Sequence, residues 1–309
     1  GGIIPPLNEN DWLNLFQMYK QYPEYNLKNF EMTLIEFKKI FFWEYFHRIW
    51  GRLVGLTFFI PLIYLWLKNA FSDSEKKMLI TLSFLGFFQA FMGWYMVESG
   101  LVDKPDVSHF RLSIHLSTAF LIYSLLLYFF WDLFKSDYQN YQSSNIQFYK
   151  VHKRNLIISF LLLITTISAG ALVSGTEAGL SYNNFPLMGD SLLPPILYED
   201  LDSNFKVLAY DQGFLQFLHR ILATFTLLFI LHTVFKAFKD NLFDDFKFLF
   251  YCLGSIVLLQ YTLGIIILKL YVPTALGLMH QLGALAALSL VVISFCEVKK
   301  KTGRFNSPR

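Results

Sequence analysis

Seven mostly apolar runs, each close to the roughly 20 residues a helix needs to cross a bilayer, dominate this chain: 44–67, 77–97, 113–131, 156–174, 214–235, 247–268 and 275–296. Hydrocarbon offers no water to backbone N–H and C=O groups, so runs of this length and continuity form helices rather than strands. The expected fold class is all-α, a polytopic membrane protein. Composition agrees: 54% of the 309 residues are hydrophobic, 18% aromatic and 16% charged, more apolar than a soluble core of this size requires. A net charge of +3 is too small to argue for nucleic acid. Cys252 and Cys296 both fall within apolar runs, which supports packing rather than a disulfide framework or a thiolate metal site. Gly1 to Asn10 carry neither a basic n-region nor an apolar h-region, so no signal peptide is read there.

Charge orients the spans. Fifteen Lys and Arg residues lie in 68–79, 132–155, 236–247 and 297–309, against eight in the opposite loops and the N-terminal segment. The positive-inside rule then places 1–43, 98–112 and 175–213 outside and the C-terminus, with Lys299, Lys300 and Lys301, inside. The expected location is a bacterial cytoplasmic membrane or the mitochondrial inner membrane.

The chain also repeats itself. W-E-Y-F-H-R (43–48) answers L-Q-F-L-H-R (215–220), Q-A-F-M-G (89–93) answers Q-Y-T-L-G (260–264), and I-H-L-S-T-A (114–119) answers M-H-Q-L-G-A (279–284). The order is the same twice, so the repeat is parallel, with halves at 1–155 and 156–309. Only the second half has a span, 156–174, ahead of its His-Arg helix. Symmetry therefore predicts two four-helix bundles and an eighth span, before Gly1, in the parent protein.

His47, His115, His219 and His280 occupy equivalent positions and are read as lying within about two turns of the outward ends of their helices. Two imidazoles facing each other across a bundle make a low-spin b-type haem site, whereas a single interfacial histidine needs no such role. Gly51 and Gly55 after His47, and Gly283 after His280, either let a flat macrocycle approach or serve ordinary helix packing. Arg48, Arg52 and Arg220 sit beside the candidate ligands, where they pair with haem propionates or snorkel to headgroups; propionate pairing is the expectation for Arg48 and Arg220. His109, His152 and His232 have no repeat partner and receive no functional role.

The halves differ three residues before the first histidine. Glu44 precedes His47, whereas Gln216 precedes His219. Residues at i and i+3 share a helix face, so only the first pair has an acid beside it. A carboxylate near a helix start can simply complement the dipole. An acid opposite a near-isosteric amide instead suggests that the first half performs chemistry and the second moves electrons.

These residues resemble those of haem A synthase, and the resemblance runs across essentially the whole chain. It is carried by E-F-K-K-I-F-F-W-E-Y-F-H-R-I-W-G-R (36–52), G-W-Y-M-V-E-S-G-L (93–101), F-R-L-S-I-H-L (110–116), G-A-L-V-S-G-T-E-A-G-L-S-Y-N-N-F-P-L-M (170–188), Q-F-L-H-R (216–220) and M-H-Q (279–281). The E-F-K-K-I-F segment and the lack of an outward cysteine pair are similar to the mitochondrial and alphaproteobacterial branch. The resemblance implies an oxidoreductase that turns the C8 methyl of haem O into the formyl of haem A for cytochrome oxidase. It implies His47 and His115 as ligands of the substrate haem, Glu44 as the essential acid, and His219 and His280 as ligands of a bound haem b. Implied partners are haem O, membrane lipid, a haem O synthase, a quinone or other electron partner, and a second copy of the chain. The family's first helix, with its Gly-rich outward end, has no counterpart after Gly1.

Two other readings fit the residues. A dihaem b-type electron-transfer protein of the quinol-oxidising kind needs four histidines but not Glu44. A transporter with parallel repeats predicts no haem absorbance at all.

Overall fold

The computed structural model describes residues 4–99, 106–134, 146–198, 205–240 and 247–303. All seven expected spans are helices: α3 (Leu34–Leu67), α4 (Asp73–Ser99), α5 (His109–Phe134), α6 (Ile146–Gly175), α8 (Gln212–Lys239), α9 (Lys247–Lys269) and α10 (Thr274–Gly303). Each is long and apolar enough to cross a membrane. Three short helices accompany them: α1 (Glu9–Tyr19), α2 (Pro23–Lys28) and α7 (Phe205–Leu208). Of the charges used above for orientation, Lys104, Lys135, Arg304 and Arg309 lie outside the described residues.

The helices outrun the apolar runs because polar residues cap them beyond the lipid-soluble stretch. Thr33 and Glu36 form a reciprocal capping box, with Thr33 N donating to Glu36 Oε2 at 2.8 Å and Glu36 N to Thr33 Oγ1 at 3.4 Å. α3 therefore starts ten residues before the expected 44. Its 34 residues rise about 51 Å, well beyond a hydrocarbon core of about 30 Å. Ser72 and Glu75 cap α4 in the same way, and Asp211 caps α8 by accepting from Phe214 N at 2.6 Å.

By packing, the chain divides into two compact units, 1–111 and 112–309. In the first, α1 and α2 fold against the start of α3 around Phe16, Tyr25 and Phe37, flanked by Trp12, Tyr19 and Met32. Phe16 and Phe37 stack at 5.1 Å, and Tyr25 meets Phe16 edge-on at 6.0 Å. The cluster accounts for the early start of α3: aromatic burial is worth most where water surrounds it.

In the second unit α6 packs on α8, α8 on α9, α9 on α10 and α10 on α6, a closed four-helix ring. Leu156, Leu163, Ile230, Val234, Phe250, Leu253, Leu288 and Val291 fill its core. Apolar burial gives little net drive between helices already in lipid, so close packing and interhelical hydrogen bonds carry association, each of the latter worth roughly 0.6–2 kcal/mol. Such bonds tie successive helices: Thr166–Thr226 Oγ1 at 2.8 Å, Thr224 Oγ1–Tyr261 OH at 2.8 Å, and Gln260 Nε2 to His280 O at 2.6 Å. α5 joins this unit in the same manner. Ser113 Oγ donates to Ser168 O at 2.9 Å, Tyr123 OH meets Ser289 Oγ at 2.8 Å, and Trp131 Nε1 donates to Glu297 Oε1 at 2.6 Å. The packing boundary at 111/112 differs from the 155/156 boundary expected from the sequence, because these bonds fasten α5 to α6 and α10.

Candidate functional site

His219 is the eighth residue of α8 and His280 the seventh of α10, so both stand near the start of their helices. α8 and α10 each pack on both α6 and α9, so the two histidines belong to one ring of helices. His219 Nδ1 lies 3.1 Å from Thr166 O on α6. A backbone carbonyl can only accept, so Nδ1 carries the proton and Nε2 keeps the lone pair a metal requires. The Gln260 backbone on α9 lies beside the His280 ring, whose Nδ1 is buried without a hydrogen-bond partner. Gln260 also holds the His280 backbone through its side chain.

Glycines make room for this. A Cβ on Gly170 would stand 3.0 Å from His219 Cε1, and one on Gly264 3.2 Å from His280 Cε1. Gly283 has a different neighbour, since a Cβ there would collide with Gln260 Oε1. Of the two readings given for Gly283, the helix-packing one matches what it touches. Gly51 and Gly55 have nothing within 4 Å of an added Cβ.

Beside His219, Arg220 grips a segment of chain. Its Nη atoms donate to the backbone carbonyls of Tyr182 at 2.9 Å, Asn184 at 3.0 Å and Leu187 at 3.0 Å, and to Gln216 Oε1 at 3.2 Å. Gln216 is 3% exposed and donates to Tyr182 O at 3.0 Å. Both Nη atoms, expected to face propionates, thus hold the 182–187 segment, while Nε remains buried without a partner. Asn183 Nδ2 ties the segment to α9 through Leu268 O at 2.8 Å, and Asn184 brackets Gly189 from both sides. Gly189 has φ +70°, which suits glycine.

In the first unit His47 is the fourteenth residue of α3. The helix continues more than three turns ahead of it, not the expected two, because of the capping box and aromatic cluster. Glu44 accepts from Arg48 Nη1 at 3.0 Å, with side-chain exposures of 59% and 33%. The Arg48 guanidinium also lies 5.9 Å from the Phe41 ring centre. His115 is the seventh residue of α5 and belongs to the second unit. Of the unassigned histidines, His152 is fully buried and meets Asp240 Oδ2 at 3.0 Å, the His109 ring lies tilted against that of Phe110 with centres 4.1 Å apart, and His232 lies 6.5 Å from Phe229.

The residues present fit a haem ligand pair in the second repeat: two imidazoles, one with its Nε2 freed for a metal, each let in by a glycine. The Gln-x-x-x-Gly motif and the 170–188 segment, with Gly170 and Tyr182, stand out in the sequence without a stated purpose, and Thr166 does not stand out at all. The last acts through a backbone carbonyl, which leaves no trace in side-chain patterns.

Fold and site together define a polytopic helical membrane protein that holds two imidazoles near one end of a four-helix ring. The chain belongs to the cytochrome oxidase assembly protein family (COX15-CtaA), whose model matches residues 1–292. It is 39% identical over 289 residues to a protein of Paramagnetospirillum magneticum named heme A synthase, covering 94% of this chain and 80% of that protein. Proteins of the same name from Rickettsia bellii and Flavobacterium johnsoniae are 38% identical over 298 residues and 37% over 303. Each alignment covers 96% of this chain, with 87% and 86% of the relative. The name these relatives carry is that of the enzyme, which disfavours the dihaem electron-transfer reading.

Proposed function

We propose that this chain is a haem A synthase, oxidising the C8 methyl of haem O to a formyl group for cytochrome oxidase. The observation that carries the reading is the near full-length match to proteins of that name by a chain that repeats its His-Arg helix but has an acid beside only one of them. His47 and His115 are the proposed ligands of the substrate haem, and His219 and His280 those of a resident haem b. The haem sites face the periplasm or intermembrane space, as the charge bias directs.

A methyl C–H bond is not acidic, so its oxidation begins by electron removal or hydrogen abstraction. Glu44, one turn from His47 and partly exposed beside Arg48, takes the released proton or holds a water at the developing positive charge. Two successive hydroxylations, each taking its oxygen from water and passing two electrons to a carrier as two protons leave, followed by loss of water, give the formyl group. Haem b at His219 and His280 supplies one-electron transfer when bound. A quinone or comparable carrier completes the electron path, and a haem O synthase delivers the substrate.

The test is pigment extraction after expression in cells that make haem O but lack their own haem A synthase. The intact protein yields haem A, whereas Glu44→Gln retains haem O and forms about 100-fold less haem A or lower. Normal haem A from Glu44→Gln removes the acid from the mechanism. A b-type spectrum with no haem A from the intact protein returns the dihaem electron-transfer reading.

A further inference from the structure

Gly170 and Gly264 each sit four residues after a carbonyl that faces a histidine ring: Thr166 O for His219 and Gln260 O for His280. In an α-helix the carbonyl at i points along the axis toward the N–H at i+4. A side chain reaching that carbonyl from a neighbouring helix must therefore pass over residue i+4. Any Cβ there narrows the way, and at 3.0 and 3.2 Å from Cε1 it would force the ring to move. Gly254, on the same helix as Gly264, shows the contrast: its added Cβ would meet Val234 Cγ1 at an ordinary 3.5 Å.

We propose that Gly170 and Gly264 are positioning residues for the haem ligands, each admitting an imidazole beside the carbonyl one turn earlier, and that Gly170 thereby fixes which His219 nitrogen faces the iron. This rests on the reading of His219 and His280 as ligands. The two notches are unequal. His219 closes its hydrogen bond to Thr166 O, whereas His280 Nδ1 does not close one, and its helix is held instead by the Gln260 amide lodged against Gly283. An Nδ1–H bond to a carbonyl strengthens the opposite nitrogen as a donor and favours ferric over ferrous iron. His219 is accordingly the more firmly oriented ligand, and its notch matters more.

The experiment uses the full chain purified with its haem, with reduced-minus-oxidised spectra, low-temperature EPR and redox titration for intact protein, Gly170→Ala, Gly264→Ala, Gly254→Ala and His219→Ala. Gly170→Ala is expected to lose half or more of the low-spin signal that His219→Ala abolishes, the remainder titrating at a higher potential. Gly264→Ala should show a smaller loss, and Gly254→Ala none. A Gly170→Ala protein with unchanged signal and potential overturns the proposal, as does a Gly254→Ala change equal to it. Should Gly170→Ala not accumulate, Gly264→Ala decides by the same criteria. If His219→Ala leaves every haem signal intact, the ligand reading fails and this proposal with it; if the signal needs His219 but ignores the glycines, only the proposal falls.

Discussion

The His-Arg segments of α3 and α8 start from nearly the same sequence and end in opposite environments. In both, the arginine donates to the residue one turn earlier, Arg48 to Glu44 at 3.0 Å and Arg220 to Gln216 at 3.2 Å. On α8 that bond is one strand of a buried knot that includes the carbonyls of Tyr182, Asn184, Pro186 and Leu187, and Gln216 is almost inaccessible. On α3 Glu44 is more than half exposed. One pattern thus serves as a structural clamp in one place and presents a reachable carboxylate in the other. Changing Glu to Gln at the buried copy removes a charge that would cost several kcal/mol to desolvate; keeping Glu at the open copy preserves an acid that can reach substrate.

The widest expected gap between the two segments is chemical. His219→Ala should eliminate one low-spin haem from the purified protein's spectrum and leave the other, whereas Glu44→Gln should leave both and stop haem A formation. Loss of both haems in His219→Ala would show that the halves do not bind independently.

Next in size is the clamp. Arg220→Ala removes the guanidinium's charge-assisted bonds to Gln216 and to the 182–187 carbonyls and should speed hydrogen exchange across 182–187 by at least about tenfold, equivalent to about 1.4 kcal/mol. Arg48→Ala breaks one half-exposed i,i+4 pair worth about 0.3–0.5 kcal/mol and should leave that segment unchanged. Equal exchange in both variants would erase the distinction drawn here. Gln216→Glu replaces the donor to Tyr182 O with a buried acceptor, at an expected cost of about 1–3 kcal/mol, measurable as a lowered Tm. The reverse change at Glu44 should leave the unfolding free energy within about 0.5 kcal/mol of wild type.

The smallest effect is pH-dependent and lies in the first unit. Burial and the neighbouring Glu44 and Asp106 raise the Glu24 carboxyl above its ordinary value, against Tyr19 and Lys28, which lower it. A raised acid binds its proton more tightly in the folded state, so its ionisation makes stability fall as pH climbs from the unfolded to the folded value. Glu24→Gln should flatten that part of the stability curve. A curve unchanged through the carboxylate range would show that Glu24 titrates as if unfolded.

All seven spans were legible because apolar length is a property of sequence alone. Their ends were not. The early start of α3 depends on Thr33 pairing with Glu36 and on Phe37 meeting Phe16 and Tyr25 from short helices whose modest apolar content drew no notice. The histidine pairs stood out through the repeat, but their support did not. Gly170 belongs to the helix that has no partner in the first half, so self-comparison could not flag it. Gly264 was visible in its motif, yet only the ring packed against it explains why it is glycine.

The Arg220 clamp grips main-chain oxygens and asks nothing of the side chains it passes. Leu187 can therefore drift in identity without loosening it, whereas Asn184 is held by its own side-chain bonds to Gly189. Arginine at 220 has no such latitude, because lysine's three donors on a single nitrogen cannot fork across carbonyls so arranged. Evolutionary freedom is thus distributed unevenly across this contact: wide in the segment that is held, and nearly absent in the residue that holds it.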